Sequence, residues 1–99
     1  QMGNIQAGKI FQAKNHYFSL DKLVALDVAL TQTFQQGFFA TIYLAPHNYH
    51  RVHCPLQASL KRTIYIPGKL FSVNPLTAET IPDLFARNER LVCAFETEY

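Results

Sequence analysis

The stretch A-S-L-K-R-T-I-Y-I-P-G, at residues 58–68, decides the fold. Side chains alternate between the two faces of a strand. In this segment the alternation places three apolar residues on one face: Leu60, Ile64 and Ile66. Arg62 interrupts that face, which indicates that the face is only partly buried, and Pro67-Gly68 predicts a turn after it. The pattern therefore predicts a strand over 58–66.

Shorter strand patterns lie on both sides of this segment. Aromatic and β-branched residues predict a strand over 38–44, which Pro46 ends. The run R-L-V-C-A-F predicts a last strand over 90–95. We also expect short strands at Ile10-Phe11 and over 70–73.

The region 19–36 is predicted to be helical, as one helix or as two. Ser19 and Asp27 each stand where a side chain can accept an unpaired N–H group at a helix start. Gly37 is placed to end the region in the left-handed conformation, which glycine adopts without a Cβ penalty.

A second, shorter helix is predicted over 82–86. Thr80 precedes Ile81-Pro82, and proline is tolerated in the first turn of a helix, so Thr80 is the predicted start. Together these segments predict an α+β fold, made mainly of antiparallel β-sheet with short helices.

Composition limits the classes to which the protein can belong. Ninety-nine residues allow one domain, and a hydrophobic content of 48% excludes disorder. Charged residues make up 16%, against about 25% in typical domains, which indicates a surface that a partner, a membrane or the rest of a larger protein covers. A net charge of +2 with scattered basic residues argues against nucleic-acid binding. No apolar run approaches the roughly 18 residues of a membrane span.

The two cysteines, Cys54 and Cys93, lie far apart and form no C-x-x-C motif. This arrangement favours two reduced thiols in a reducing compartment over a zinc ribbon or a disulfide framework. Cys93 lies within a strand pattern, so we predict that it is a small core residue.

The spacing of the histidines is the most unusual feature of the sequence. Within A-P-H-N-Y-H-R-V-H-C-P, three of them follow at intervals of three: His47, His50 and His53. Three interpretations are open. They are surface or half-buried side chains, or zinc ligands together with Cys54, or acid–base catalysts, because imidazole titrates nearest neutrality. The spacing matches no strong ligand motif, so we predict no metal site.

Four blocks of this sequence resemble the phosphatidylserine decarboxylase family. They stand in the family's order and cover nearly the whole chain: Q-A-K-N-H-Y-F-S-L (12–20), Y-H-R-V-H-C-P (49–55), I-Y-I-P-G-K-L-F-S-V-N-P-L-T-A (64–78) and L-F-A-R-N-E-R-L-V-C-A-F-E-T-E (84–98). Two positions depart from the family's pattern. Asn48 stands where Asp is usual before Tyr-His, and Cys54 stands where Met is common.

The resemblance implies a lyase that converts phosphatidylserine to phosphatidylethanolamine and carbon dioxide. The family's cofactor is a pyruvoyl group, formed when the serine of a Gly-Ser-Thr motif splits its own chain and becomes the cap of a small α subunit. An Asp–His–Ser triad drives this self-cleavage, and its histidine, the base, matches His53. His50 matches a residue assigned to decarboxylation. We expect it to protonate the carbanion that the loss of carbon dioxide leaves on the substrate.

The resemblance also implies contacts and partners. Four residues are expected to bind the substrate: Tyr49, Arg51, Phe71 and Val73. Arg51 suits the phosphodiester or the carboxylate, and its alternative is a solvated or structural arginine. The apolar segment with Phe71 and Val73 suits acyl chains, and its alternative is packing in the core. The expected partners are phosphatidylserine, the pyruvoyl-bearing α subunit, a membrane surface and a second copy of the chain.

Parts of the family's machinery lie outside this sequence. No glycine here is followed by serine, and the A-D-G stretch with the triad carboxylate is not in it. We therefore expect residues 1–99 to be an incomplete portion of a larger catalytic domain, that of the β (large) subunit, which is soluble and inactive alone. The parent would be associated with the inner or cell membrane and face a reducing compartment. The alternative is a catalytically silent interaction domain or relic that retains only the fold.

Overall fold

The computed structural model describes residues 1–98. Ten elements follow one another in these residues: β1 (Met2–Asn4), β2 (Lys9–Ala13), β3 (His16–Ser19), α1 (Leu20–Leu23), α2 (Val28–Phe34), β4 (Phe38–Ala40), β5 (Ser59–Ile66), α3 (Pro75–Thr80), α4 (Leu84–Arg87) and β6 (Arg90–Glu96). The strands form three two-stranded antiparallel sheets, which pair β1 with β4, β2 with β3 and β5 with β6. The predicted α+β fold with mainly antiparallel sheet is confirmed.

The hydrophobic core lies around the β2–β3 hairpin. The register of this hairpin places Ile10 opposite Phe18, so both side chains enter the core from one face of the sheet. The buried cluster consists of Ile5, Ile10, Phe18, Leu20 and Val24. Phe85 of α4 and Val92 of β6 pack against it, so the small core joins the N-terminal hairpin to C-terminal elements.

The strand predicted over 38–44 is shorter than expected. β4 covers only Phe38–Ala40, because its partner β1 offers three residues for pairing. The N–H of Thr41 still donates to the carbonyl of Gln1 at 2.7 Å, but residues 41–44 lie outside the strands.

The helical region predicted over 19–36 forms two helices. Ala25 and Leu26 separate them, because their φ angles of 56° and 61° are left-handed and cannot continue a right-handed helix. Asp27 caps α2 as predicted, since its carboxylate accepts the N–H of Leu30 at 3.0 Å.

Two other predicted helix ends are wrong in their details. Ser19 stands at the N-cap of α1, but its side chain makes no capping bond. The side-chain Oδ1 of Asp21 accepts the N–H of Lys22 at 2.8 Å instead. Gly37 does not adopt the left-handed conformation. Its N–H donates to the carbonyl of Phe34 at 3.0 Å, in a tight turn that follows α2.

The segment before Pro82 differs most from the prediction. Thr80 ends α3 and does not start a helix, and its hydroxyl donates to the carbonyl of Leu76 at 2.8 Å. The helix begins after Asn74, whose side chain accepts the N–H of Thr77 while the Thr77 hydroxyl accepts the N–H of Asn74, both at 3.0 Å. This reciprocal capping by N-P-L-T, a stronger local signal than Thr80-Ile81-Pro82, starts the helix at Pro75.

No strand forms over 70–73. Instead, the side chain of Asn88 bonds both backbone groups of Phe71: Oδ1 accepts its N–H at 2.8 Å and Nδ2 donates to its carbonyl at 3.0 Å. Gly68 permits the close approach just before this contact, because a Cβ there would lie 2.5 Å from the carbonyl oxygen of Arg87. The side chain of Asn88 thus pairs with the backbone groups that a neighbouring strand would otherwise bond.

A β-bulge at Lys61 changes the faces of β5. Leu60 lies opposite Phe95 and Arg62 lies opposite Ala94, so Lys61 has no partner of its own on β6. The extra residue turns Leu60 onto the face opposite to the two isoleucines of the strand. The prediction that Leu60 shares their face is therefore wrong, and the bulge is the reason.

The two faces of the β5–β6 sheet have different surroundings. The inner face is half-buried and includes Ile64, Ile66, Arg90 and Val92. The outer face is exposed and includes Leu60, Tyr65, Leu91, Cys93 and Phe95. Cys93 is not a core residue, contrary to the prediction, because its pairing with Thr63 puts it on the outer face.

The accessible surface of the described chain is large for its mass. It measures 7588 Å², whereas a compact monomer of 11.3 kDa has about 5,700 Å². Exposed apolar side chains such as Leu91 and Phe95 contribute to the excess. The excess agrees with the expectation, drawn from the low content of charge, of a surface suited to being covered.

Two arginines attach the inner face of the β5–β6 sheet to the N-terminal helices. Arg90 donates from Nε to the carbonyl of Leu23 at 2.7 Å and from Nη2 to the carbonyl of Lys22 at 2.8 Å. Burial lowers the pKa of the Arg90 guanidinium from its ordinary value. Arg62 forms an ion pair with Asp27, the residue that caps α2.

Gln12 joins β2 to the C-terminal helices. Its Nε2 donates to the carbonyls of Ala78 and Ile81 at 2.8 and 2.7 Å, and its Oε1 accepts the N–H of Leu84 at 2.9 Å. Leu84 is fully buried and begins α4, which is the helix predicted over 82–86. One buried side chain therefore satisfies three backbone groups of the α3–α4 connection.

We expect the substitution Gln12→Leu to lower the free energy of unfolding by about 1–3 kcal/mol, because the buried N–H of Leu84 and two carbonyls lose their partner. Urea-induced unfolding followed by circular dichroism measures this change. Gln36→Leu, at an exposed position, is the matched control and should stay within about 0.5 kcal/mol of the wild type. Equal unfolding midpoints for Gln12→Leu and the control would contradict this role of Gln12.

The ion pair of Asp27 predicts a loss of stability in acid. The N–H of Leu30 and then the guanidinium of Arg62 hold the pKa of Asp27 below its ordinary value of 3.8. A carboxyl with a lowered pKa in the folded state stabilises the fold fully above its unfolded-state pKa, and this stabilisation is lost as the pH falls through the folded-state pKa. Asp27→Asn should therefore flatten the fall in unfolding free energy between about pH 5 and pH 2. Arg62→Gln should flatten it only in part, and an unchanged profile in Asp27→Asn would be the contrary result.

Candidate active site

A turn fixes the start of the loop that carries the histidines, residues 45–58. The N–H of Asn48 donates to the carbonyl of Ala45 at 2.9 Å, and the N–H of Ala45 donates to Oδ1 of Asn48 at 2.8 Å. Pro46 suits the second position of such a turn, because its φ angle is fixed in the required range. An aspartate at position 48 would offer the same acceptor, so the departure from the family's pattern preserves the turn.

His50 has a defined proton position. Its Nδ1 lies 2.6 Å from the carbonyl oxygen of Asn48. A carbonyl oxygen only accepts, so Nδ1 carries the hydrogen and Nε2 carries the lone pair of the neutral ring. The residue is exposed, and its Nε2 is therefore the atom that can take up or release a proton.

Tyr49 holds the imidazole of His53 in two ways. The Tyr49 hydroxyl oxygen lies 2.6 Å from Nε2 of His53. The two rings are also stacked, with centroids 5.6 Å apart and planes inclined by 11°. The hydrogen bond and the stacking together define the orientation of an imidazole that is otherwise exposed.

An apolar cavity of about 410 Å³ lies beside His53. The loop and the outer face of the β5–β6 sheet line it together, with Val52, His53, Cys54, Pro55, Leu56, Ala58, Cys93, Phe95 and Thr97. Both cysteines are free thiols in this lining. His50 is not among the lining residues. The arrangement can accept an apolar group next to an imidazole of fixed orientation.

None of the four predicted substrate contacts, Tyr49, Arg51, Phe71 and Val73, lines this cavity. Arg51 and His47 are exposed, and neither lines it. Phe71 lies beneath the guanidinium of Arg87, whose central carbon is 5.0 Å from the ring centroid. Val73 is half-buried and does not line the cavity either.

Potential metal ligands do not cluster in the described residues. Between residues 1 and 98, no group of three or more His, Cys, Asp or Glu side chains is arranged to hold a metal ion. The absence of a specific zinc site stays a prediction. In the same part of the chain, no helix has both the length and the apolar character needed to cross a bilayer.

Two features of the site were not predicted from the sequence. The contact between Tyr49 and His53 depends on the path of the loop, although the four-residue spacing in Y-H-R-V-H was visible. The cavity depends on the face of β6 on which Cys93 and Phe95 stand. Alternation of apolar residues within β6 alone does not define which face is exposed. The exposed face follows from the register between β5 and β6.

Comparisons with known proteins agree on one family. A family model described as phosphatidylserine decarboxylase matches residues 1–99. Three similar proteins are each called phosphatidylserine decarboxylase proenzyme. The protein from Azotobacter vinelandii is 58% identical over 98 residues, which cover 99% of this chain and 34% of that protein. The one from Vibrio campbellii is 57% identical over 99 residues, covering 100% and 35%, and the one from Acinetobacter baumannii strain SDF is 59% identical over 98 residues, covering 99% and 34%.

The chain thus spans about a third of the length of these relatives. The similarity nevertheless covers the whole loop with its three histidines and both strands of the β5–β6 sheet. Both components of the candidate site, the loop and the cavity wall on β6, therefore lie within the matched residues.

The turn at Asn48 generates a prediction on backbone protection. Asn48→Ala removes the acceptor of the Ala45 N–H, so amide hydrogen exchange at Ala45 should become faster, on the order of fivefold. Asn48→Asp retains an acceptor oxygen and should keep the protection near the wild-type level. His47→Ala, in the same turn, is the control. Unchanged exchange in Asn48→Ala would show that the side-chain bond does not hold the turn.

Proposed function

Because the chain belongs to the phosphatidylserine decarboxylase family, we propose that it is part of a pyruvoyl-dependent enzyme that converts phosphatidylserine to phosphatidylethanolamine and carbon dioxide. The observation that carries the proposal is the match of the family model to all 99 residues. Relatives called proenzymes, about 58% identical over nearly the whole chain, support it.

The chain is proposed to be a portion of the β subunit. It spans about a third of its relatives, and the sequence contains no Gly-Ser pair from which the cofactor could form. The serine and the triad carboxylate would then come from other parts of the same protein. The proposed partners are phosphatidylserine, the small α subunit, a membrane surface and a second copy of the chain.

His53 is proposed as the base of self-cleavage. A serine hydroxyl is a weak nucleophile until a neighbouring imidazole takes its proton. In the structure, Nε2 of His53 already lies at hydrogen-bonding distance from a hydroxyl, that of Tyr49, and the ring orientation is defined. This geometry supports the role, because it matches what a base needs toward an alcohol.

His50 is proposed to deliver a proton during decarboxylation. Its Nδ1–H is bound to the carbonyl of Asn48, which leaves Nε2 as the exchangeable position on an exposed ring. An imidazole can take a proton from water and donate it to carbon in each cycle. The carbonyl contact supports this role by fixing which nitrogen faces away from the backbone.

The residues present fit the cofactor that the family implies. A pyruvoyl group supplies the electron sink for loss of carbon dioxide, and this chemistry then requires a proton donor and a site for an apolar substrate. His50 offers the donor, and the cavity beside His53 offers the apolar surface. No lysine lies among the residues of that cavity wall, which leaves the amine of a substrate without a competing side-chain amine there.

Four residues are proposed as substrate contacts: Tyr49, Arg51, Phe71 and Val73. The exposed guanidinium of Arg51 can bind a phosphodiester or a carboxylate from its place between the two histidines. Phe71 and Val73 would contact further parts of the acyl chains, on a surface separate from the His53 cavity. Parent membrane association is proposed on the same basis, since the substrate is a lipid.

A second candidate function rests on the open apolar face of the β5–β6 sheet. A domain with exposed Leu91 and Phe95 can serve as an interaction module that keeps the fold without the chemistry. Activity of the parent protein distinguishes the two candidates, because only the first requires the histidines.

The test uses the full-length proenzyme that contains these residues. His53→Ala should leave the proenzyme unsplit on a denaturing gel, because the serine hydroxyl loses its base. His50→Ala should still split but release carbon dioxide from phosphatidylserine more slowly, by about 10²- to 10⁴-fold, because general acids contribute that much. His47→Ala is the control and should behave as the wild type. The 99-residue chain alone should be inactive.

Two outcomes would contradict these roles. Normal maturation of His53→Ala would show that His53 is not the base of self-cleavage. Wild-type turnover of His50→Ala would show that His50 is not the acid of decarboxylation. A full-length parent that neither splits nor releases carbon dioxide would favour the silent interaction domain.

A further inference from the structure

The contact between Tyr49 and His53 supports an inference about Tyr49, which rests on the proposed role of His53 as the base of self-cleavage. We propose that Tyr49 is a positioning residue for His53. Its hydroxyl donates to Nε2 and its ring lies against the imidazole, which together select the Nδ1-protonated form and fix the ring plane before the serine hydroxyl arrives.

The geometry constrains the imidazole in two independent directions. Stacking at a centroid distance of 5.6 Å with an angle of 11° fixes the plane of the ring. The 2.6 Å contact to Nε2 fixes the rotation of the ring within that environment, since a flipped ring would place a carbon at the hydroxyl. Neither constraint alone would define the direction of the lone pair.

The hydroxyl also determines where the proton of the neutral ring resides. A phenol is a good donor and the imidazole lone pair is a good acceptor, so the Tyr49 hydroxyl donates and Nε2 accepts. The ring proton then lies on Nδ1. A serine base requires this form, with the lone pair on the nitrogen that faces the alcohol and the N–H on the nitrogen that faces the orienting carboxylate.

Tyr49 therefore acts before the attack, as a substitute for the nucleophile. Both the phenol and the serine are O–H donors, and the lone pair of Nε2 accepts one of them at a time. When the serine hydroxyl arrives, it takes the place of the phenol while the imidazole keeps its plane. The Tyr49 side chain can move aside because it is 62% exposed and no other described hydrogen bond restrains its hydroxyl.

The spacing of the residues explains why this pair meets. Tyr49 and His53 are four residues apart in a loop that contains no helix or strand, between the turn at Asn48 and Pro55. Arg51, between them, is exposed. The assignment gives Tyr49 a role in maturation, separate from the substrate contact proposed above.

Nitrogen NMR of the 99-residue chain, labelled at histidine, tests the proposal without any enzymatic activity. In the wild type, His53 should show a protonated Nδ1 and an unprotonated Nε2. Tyr49→Phe keeps the stacking but removes the donor, so the population of the form with a proton on Nε2 should rise. Tyr17→Phe, an exposed tyrosine on β3, is the matched control. A wild-type His53 with its proton on Nε2, or no change in Tyr49→Phe, would overturn the proposal.

Self-cleavage of the full-length proenzyme gives the second readout. Tyr49→Phe should mature about threefold to tenfold more slowly, as expected for the loss of one hydrogen bond. Tyr49→Leu, which also loses the stacking, should be slower, on the order of tenfold to a hundredfold. Wild-type maturation of both variants, or faster maturation of Tyr49→Phe, would overturn the proposal. A change only in the KM for phosphatidylserine would mean that Tyr49 binds substrate instead.

The two readouts separate the failure of this inference from the failure of the proposed function. If His53→Ala matures normally, the role of His53 fails, whatever the NMR of Tyr49→Phe shows. If His53→Ala stays unsplit while both Tyr49 variants mature at the wild-type rate, His53 remains the base and only the positioning role of Tyr49 is rejected.

Discussion

The position of the candidate site depends on the guanidinium group of Arg90. It donates to backbone carbonyls at three points: Lys22, Leu23 and Asn88. These bonds join the end of α1, the residue after α4 and the start of β6. With the inner face of β6 attached in this way, its outer face is left to form one wall of the cavity beside His53.

The sequence predicted those parts of the fold whose causes are local. The cap at Asp27 and the strand over 58–66 follow from side chains within a few residues of each other, and both formed as expected. The predictions failed where a distant partner decides. β4 is short because β1 is short, and Leu60 changed face because β6 leaves no partner for the next residue. The prediction of a helix start at Thr80 failed for a different reason: Asn74, six residues earlier, forms a reciprocal cap with Thr77 and starts the helix there.

The candidate site could be predicted in its composition but not in its arrangement. The histidine spacing and the resemblance identified the loop, and the comparisons confirmed the family. The structure added the proton position of His50 and the stacked tyrosine against His53, which depend on the path of the backbone between two prolines. It also separated Phe71 from the His53 cavity, because Asn88 holds that segment elsewhere.

The bulge at Lys61 also restricts how β5 can meet another molecule. One edge of β5 pairs with β6, and within residues 1–98 no strand pairs with the other edge. Free N–H and C=O groups along such an edge recruit strands from other chains and lead to aggregation. A bulge interrupts the regular spacing of these groups and increases the local twist, and the charged side chain of Lys61 adds a solvated group at the same point. A strand from a second molecule can therefore keep a continuous register only along 62–66. Lys61, the bulge residue that turns Leu60 onto the outer face, thus also shortens the edge to which further strands could add.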